Sequence, residues 1–205
     1  MKDQVTAAVL AGGESTRFGT DKALFLWRGK PLVVYAVKGL RPEVAEVLVV
    51  AKSAAPFEGI SGLGARIVLD GRADSNPFWG LLAALGTVRT PWLFLCPCDA
   101  PLVRPGLLRA LFDAREGARA VVPVWGGAEQ PLAALYHRDA LETAMKIASE
   151  DPNPSPRKLA KSLGARLLDE DEVRRCDPDG LSFRDADRAQ DLEALDPFAG
   201  GPDAH

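Results

Sequence analysis

Too little cysteine and histidine is present for a disulfide scaffold or a zinc site: among 205 residues only Cys96, Cys98 and Cys176 carry thiols, and only His137 and His205 carry imidazoles. Three cysteines make neither an even disulfide framework nor a four-ligand zinc set. Cys96 and Cys98, two positions apart in a strand-forming run, read as small residues on one strand face, with their thiols reduced. No apolar run approaches the roughly 20 residues needed to span a bilayer, and the stretch from Val5 to Leu10 is cut by glycines too soon for a secretory signal. A cytoplasmic protein without membrane association is expected. A long Lys/Arg run is also missing. With 25 basic and 28 acidic side chains the net charge is −3, and the pI is about 5.5; nucleic acid is thereby disfavoured as the main partner, because gripping a phosphate backbone takes a concentrated basic face.

What is present suits one globular domain. Apolar residues make up 47% of the chain and charged residues 26%, enough to fill a core. One domain over residues 1–195 is expected, followed by a frayed tail over 196–205. Val5 to Leu10 is a short apolar run ending in Ala11-Gly12-Gly13, as a buried parallel strand ends on entering a loop. Pro31 can open a helix that Arg41-Pro42 closes. Strands then follow at Glu46 to Ala51, Arg66 to Leu69 and Trp92 to Leu95, with an apolar helix from Phe78 to Val88. Further along, Pro105 to Arg115 and Arg138 to Ser149 read as helices. Ala120 to Val124 and Leu132 to Tyr136 read as two strands around the turn-like Trp125-Gly126-Gly127. A short helix ends near Leu163 and a strand runs from Ala165 to Leu168, while the acidic run Asp169 to Glu172 is a solvated face. Alternation of strand and helix predicts an α/β fold: a single doubly wound, mostly parallel sheet with helices on both faces and a mixed edge from the late strand pair. Ligands of such sheets sit at the carboxyl ends of the strands.

Two strand ends carry chemistry. After the first strand, Gly12 and Gly13 let backbone N–H groups approach a ligand closely, and Arg17 and Lys22 add positive charge suited to phosphate, one as a planar fork and the other as a compact point charge. The loop is neither of two familiar phosphate loops. Arg17 and Phe18 stand where a Walker-type motif needs its second glycine, and Glu14 stands where the dinucleotide motif needs one. After the strand at Trp92, Asp99 in Pro97-Cys98-Asp99-Ala100-Pro101 is placed to hold a hard cation such as Mg²⁺ beside phosphate oxygens. Asp70 ends another strand and can accept hydrogen bonds from a nucleoside or simply serve a turn.

The stretch LAGGESTRFGTDKALFLWRGKPL, from Leu10 to Leu32, taken with Asp70 and Pro97-Cys98-Asp99-Ala100-Pro101, resembles the molybdenum cofactor guanylyltransferases, nucleotidyltransferases that make molybdenum cofactor dinucleotides. That resemblance implies a Rossmann-like nucleotidyltransferase fold and transfer of GMP from GTP to the terminal phosphate of molybdopterin with release of pyrophosphate. It implies that Leu10, Ala11 and Gly12 contact the nucleotide and that Gly13 supports the turn. Lys22 would contact the GTP phosphates, Arg17 assist the pyrophosphate, Asp70 meet the nucleoside and Asp99 bind Mg²⁺. GTP and molybdopterin would be the substrates, with handover of the product to other molybdenum-cofactor proteins. Three departures stand out: Lys52 where relatives often present an asparagine, Asn76-Pro77-Phe78-Trp79-Gly80-Leu81 where they often have Gly-Pro-Leu, and Asp185 and Asp187 in place of two asparagines. Asp187 is a candidate extra metal ligand. The rival readings are a related transferase using CTP or a sugar phosphate, and a non-catalytic nucleotide-binding module.

Overall fold

The computed structural model describes residues 1–12, 21–72, 74–186 and 188–199. Gly13, Arg17 and Asp187 lie outside the described residues. Strand β1 (Val5–Leu10) is followed by a two-residue hairpin, β2 (Leu26–Trp27) and β3 (Lys30–Pro31), then helix α1 (Leu32–Leu40), β4 (Glu46–Ala51), β5 (Arg66–Leu69), α2 (Pro77–Leu85) and β6 (Trp92–Pro97). The second half holds α3 (Pro105–Asp113), β7 (Ala120–Trp125), β8 (Ala128–Glu129), β9 (Leu135–His137), α4 (Arg138–Ala148), α5 (Pro156–Ser162), β10 (Arg166–Leu168), α6 (Glu170–Arg174) and α7 (Ala189–Leu195).

Helix starts follow local chemistry. The Asn76 side chain accepts from Phe78 N with Pro77 at the first helical position, Ser155 does the same for α5, and Asp169 with Glu172 closes a capping box on α6; each satisfies backbone donors that a helix start leaves open. The acidic run expected to be only a solvated face is therefore also a helix start.

The main sheet runs β10-β7-β9-β6-β1-β4-β5, with β8 paired to β7. Strands β6, β1, β4 and β5 are mutually parallel, as are β7 and β10. Buried on both faces, β1, β4 and β6 are near-continuous apolar runs, and successive residues feed opposite cores. Val5, Ala7, Val9, Val47, Val49, Phe94 and Cys96 pack with α1 and α3; Ala8, Leu48, Val50, Leu93 and Leu95 pack with α2, α4 and α5. The doubly wound α/β arrangement with helices on both faces is thus observed.

Its mixed edge is not where the sequence suggested. Gly126 and Gly127, at φ of 60° and 73°, turn β7 into the two-residue β8, whereas β9 lies inside the sheet, antiparallel to both β6 and β7. Leu135 and Tyr136 on β9 are fully buried, and burial on both faces explains the interior place. The hairpin of β2 and β3 was not anticipated either. It packs through Trp27 into a third, smaller cluster with Leu32 of α1, Leu102, Leu192 and Leu195. Of the tail expected from Asp196 onward, Asp196 accepts from Trp27 Nε1 at 2.9 Å and from Arg28 Nε at 3.0 Å, and residues 200–205 lie outside the described residues.

Cys96 and Cys98 sit on one face in the core. Burial first, and then the charge of Asp99, pushes both thiols above their ordinary range; burial also raises half-buried Cys176. A raised pKa leaves little reactive thiolate near neutral pH. Titration of the native protein with a thiol reagent at pH 8 is expected to count no more than the one thiol of Cys176, and all three after unfolding.

Candidate functional site

Strand order reverses around β1: the chain builds outward through β4 and β5, then crosses back to lay β6 on the other side. A crevice opens at such a switch point, at the carboxyl ends of the strands. Register fixes what faces it. Leu10 pairs with Pro97, and Cys98 N donates to Leu10 O at 3.1 Å, so Gly12 and Asp99 each lie two residues past one paired position, at the same end of the sheet. On the other flank Ala51 pairs with Leu69, which puts Lys52 and Asp70 side by side.

These ends line one cavity of about 470 Å³ that takes in Leu10, Gly12, Lys22, Asp70 and Asp99, with Asn76 and Gly80 on the α2 side. Lys22 reaches it from a 3-10 turn over Lys22–Leu24, held by the Asp21 side chain, which accepts from Ala23 N at 3.0 Å. Burial raises the pKa of Asp21 against that hydrogen bond. Lys22 Nζ donates to Asp99 Oδ2 at 2.9 Å, with the two side chains 20% and 19% exposed. A strand-end carboxylate and a phosphate-type lysine therefore meet at the mouth. Gly80 lets α2 approach β1: a Cβ there would lie 3.0 Å from Leu10 Cδ2. Ala11 is 1% exposed and is not among the residues lining the cavity; its N–H donates to Val50 O at 2.7 Å and is already engaged in the sheet.

Three sets of contacts were not expected from the sequence. The first is Lys52, whose ammonium donates to Asp70 Oδ2 at 2.8 Å and to the carbonyls of Arg72 and Asp74 at 2.7 and 2.6 Å. Asp70, 6% exposed, also accepts from Arg72 N at 3.1 Å. One cation thereby ties the strand-end carboxylate to the loop that follows it. Above that loop Trp79 Nε1 donates to Asp74 Oδ2 at 2.7 Å, and the Arg72 guanidinium sits 4.0 Å from the Trp79 ring centre.

Second is buried Asp177, whose two oxygens accept from Leu181 N and Ser182 N at 2.9 and 2.8 Å. This fixes a strap over residues 181–186 that brings Phe183 and Asp185 to the cavity and ends with Ala186 N donating to Asp99 O at 2.8 Å. Third, Trp125 stacks on Phe183 with ring centres 5.5 Å apart and lies against Gly180, where an added Cβ would overlap the indole. Because Gly180 also has φ of 61°, Gly180→Ala is expected to cost about 2 kcal/mol and lower Tm by about 4–8 °C, as read by thermal unfolding. A Gly-Leu pair before an aromatic was the available signal, but it does not reveal which ring it accommodates.

A doubly wound sheet whose switch point joins Gly12 to a lysine and a strand-end carboxylate has the place where such sheets take their ligands. Residues 7–167 match the MobA-like NTP transferase domain. A molybdenum cofactor guanylyltransferase of Acidovorax is 40% identical over 119 residues, covering 56% of this chain and 55% of that protein, so the chain spans about half of that relative's length in the match. One from Pseudomonas aeruginosa is 33% identical over 165 residues, covering 78% of this chain and 82% of its own length. Molybdopterin-guanine dinucleotide biosynthesis protein A from Archaeoglobus fulgidus superposes with a TM-score of 0.78 over 95% of this chain and 98% of that one, at 22% identity, and shows the shared fold. This chain belongs to the MobA-like NTP transferase family.

Among the described residues no helix is long and apolar enough to cross a membrane, and no cluster of three or more His, Cys, Asp or Glu side chains with metal-site geometry occurs.

Proposed function

We propose that this protein transfers GMP from GTP to the terminal phosphate of molybdopterin, with Leu10, Gly12 and Asp70 receiving the nucleoside side and Lys22 and Asp99 the phosphates. The observation that carries the reading is the Leu10–Pro97 register, which delivers the glycine turn and the Lys22–Asp99 pair to one cavity. The names of the relatives favour guanine over the cytosine and sugar-phosphate alternatives.

A phosphate oxygen of molybdopterin attacks the α-phosphorus of GTP; the new P–O bond forms as the bond to the β-phosphate oxygen breaks, and pyrophosphate leaves with that electron pair. Attacking and leaving groups are both anionic, so the protein's work is to suppress repulsion and hold the reactants in line rather than to accept a proton. Lys22 brings a compact cation that offsets charge growing on the leaving pyrophosphate. Gly12, with no side chain, lets the nucleoside approach its backbone. Lys52 holds Asp70, Arg72 and Asp74 in place, so that the nucleoside meets a preformed wall.

The donor set suits a hard divalent cation: Asp99 turns a partly exposed carboxylate into the cavity, and Asp185 lines the same space. Mg²⁺ would be held by Asp99, and when bound it supplies positive charge to phosphate oxygens. Arg17, outside the described residues, is the further cation proposed for pyrophosphate. The reaction belongs to the cytoplasm, where the product passes to other molybdenum-cofactor proteins.

A panel of GTP, CTP, ATP and UTP with molybdopterin and Mg²⁺, read by pyrophosphate release, tests the proposal. Release with GTP alone is expected. Preferential release with CTP would move the protein to the rival transferase, and GTP binding without release under any combination would make it a binding module.

A further inference from the structure

A second and larger hollow, of about 1050 Å³, runs beside α1 and shares no lining residue with the catalytic cavity. Six cationic side chains line it, Lys2, Arg28, Lys30, Lys38, Arg41 and Arg66, against the single acid Glu46, in a chain whose net charge is −3. Arg28 and Arg66 are paired, with Asp196 and Glu46. Lys2, Lys30, Lys38 and Arg41 meet no carboxylate among the described residues, and all four are exposed. Elsewhere on the surface exposed cations are of both kinds: Arg138, Lys146, Lys158 and Arg174 each hold an acidic partner close by, while Arg119, Arg157 and Lys161 meet no carboxylate among the described residues.

Arg41 is also seated rather than loose. Its guanidinium lies on the bare α-carbon of Gly64, where a Cβ would overlap it, and φ of 64° at Gly64 reserves the position for glycine. Below the cations the lining is apolar and buried, through Val34, Val44, Val47, Leu63, Leu102 and Val103. Tyr35 is the one aromatic side chain lining the hollow; its ring lies 4.8 Å from Trp27 and its hydroxyl donates to Trp27 O. Nucleic acid would find scattered cations but no free aromatic platform on which to stack bases.

We propose that this hollow docks an acidic peptide segment of a partner protein, its carboxylates meeting Lys2, Lys30, Lys38 and Arg41 and its interleaved apolar side chains meeting the valine and leucine floor. Opposite charge at a rim steers encounter and selects the partner. Separate lining leaves the catalytic cavity open while the partner is held.

Fluorescence anisotropy of a labelled peptide of alternating glutamate and leucine, titrated with the whole chain, tests this, with a labelled oligodeoxynucleotide and an alternating lysine–leucine peptide as comparisons. Saturable binding of the acidic peptide is expected, weakening as salt rises. Affinity should fall at least roughly tenfold in Lys38→Glu/Arg41→Glu, a variant expected to keep its circular dichroism and its pyrophosphate release. Arg41→Lys, which keeps the charge, should retain most of the binding. Absence of saturable binding, equal binding by the charge-reversed variant, or tighter binding of the oligonucleotide or the basic peptide would overturn the proposal. Loss of pyrophosphate release in the wild type would count against the transferase reading and leave this test unaffected.

Discussion

Asp99→Asn is expected to lower the rate of GTP-dependent pyrophosphate release by about 100- to 1,000-fold while leaving the fold in place. That magnitude is typical of removing one preorganised charged group from a transition state. The fold should survive because Asp99 is held through its main chain, with its carbonyl accepting from Ala186 N at 2.8 Å, and the asparagine side chain keeps the same shape. What changes is the charge facing Lys22, 2.9 Å away, and the oxygen donor set for a hard cation. Initial rates, with circular dichroism to verify folding, check the prediction. Normal turnover by a folded Asp99→Asn protein would remove Asp99 from the mechanism.

Lys52→Met is expected to raise KM for GTP about tenfold or more, with a smaller effect on kcat, and to lower stability by about 2 kcal/mol. Methionine keeps much of the side-chain volume, so lost packing is a minor part of the effect. The variant strips the buried Asp70 carboxylate of its cationic partner and releases the carbonyls of Arg72 and Asp74. Leaving a buried charged acceptor unpaired is costly, and the one-third exposure of Lys52 moderates that cost through solvent screening. Lys52→Arg should recover part of the affinity. Steady-state kinetics and denaturant unfolding separate the two readouts: a stability loss with unchanged KM would make Lys52 a purely structural tie.

Most of the framework was legible because it rests on strong local patterns. Short apolar runs marked β1, β4, β5 and β6 within a few residues, with glycine following β1, aspartate following β5 and proline closing β6, and proline at a first helical position marked α3. The meeting of Gly12, Lys22, Asp70 and Asp99 followed from parallel topology, which gathers strand carboxyl ends on one side. Long-range pairing was not legible. Nothing local tells that Leu135 to His137 slides between β6 and β7 instead of forming an edge, because a short apolar run reads alike in either place. Lys52 was visible as a departure, but its three acceptors belong to a loop 18 to 22 residues downstream, and sequence spacing does not show that closure. Asp177 hides among other acids, and only its 1% exposure distinguishes a carboxylate that organises a strap from one that meets water. The capping box at Asp169 and Glu172 was in plain view and was overshadowed by the charge of its run.

The most direct test of the central claim, that the β1 and β6 ends form one site for phosphoryl-linked nucleotide transfer, is a label-partition measurement with GTP carrying the isotope at either the α or the γ phosphate. With molybdopterin and Mg²⁺ present, the account predicts that the α label enters the molybdopterin product and the γ label is recovered in pyrophosphate. An α label found only in free GMP, or a γ label released as inorganic phosphate, would contradict it.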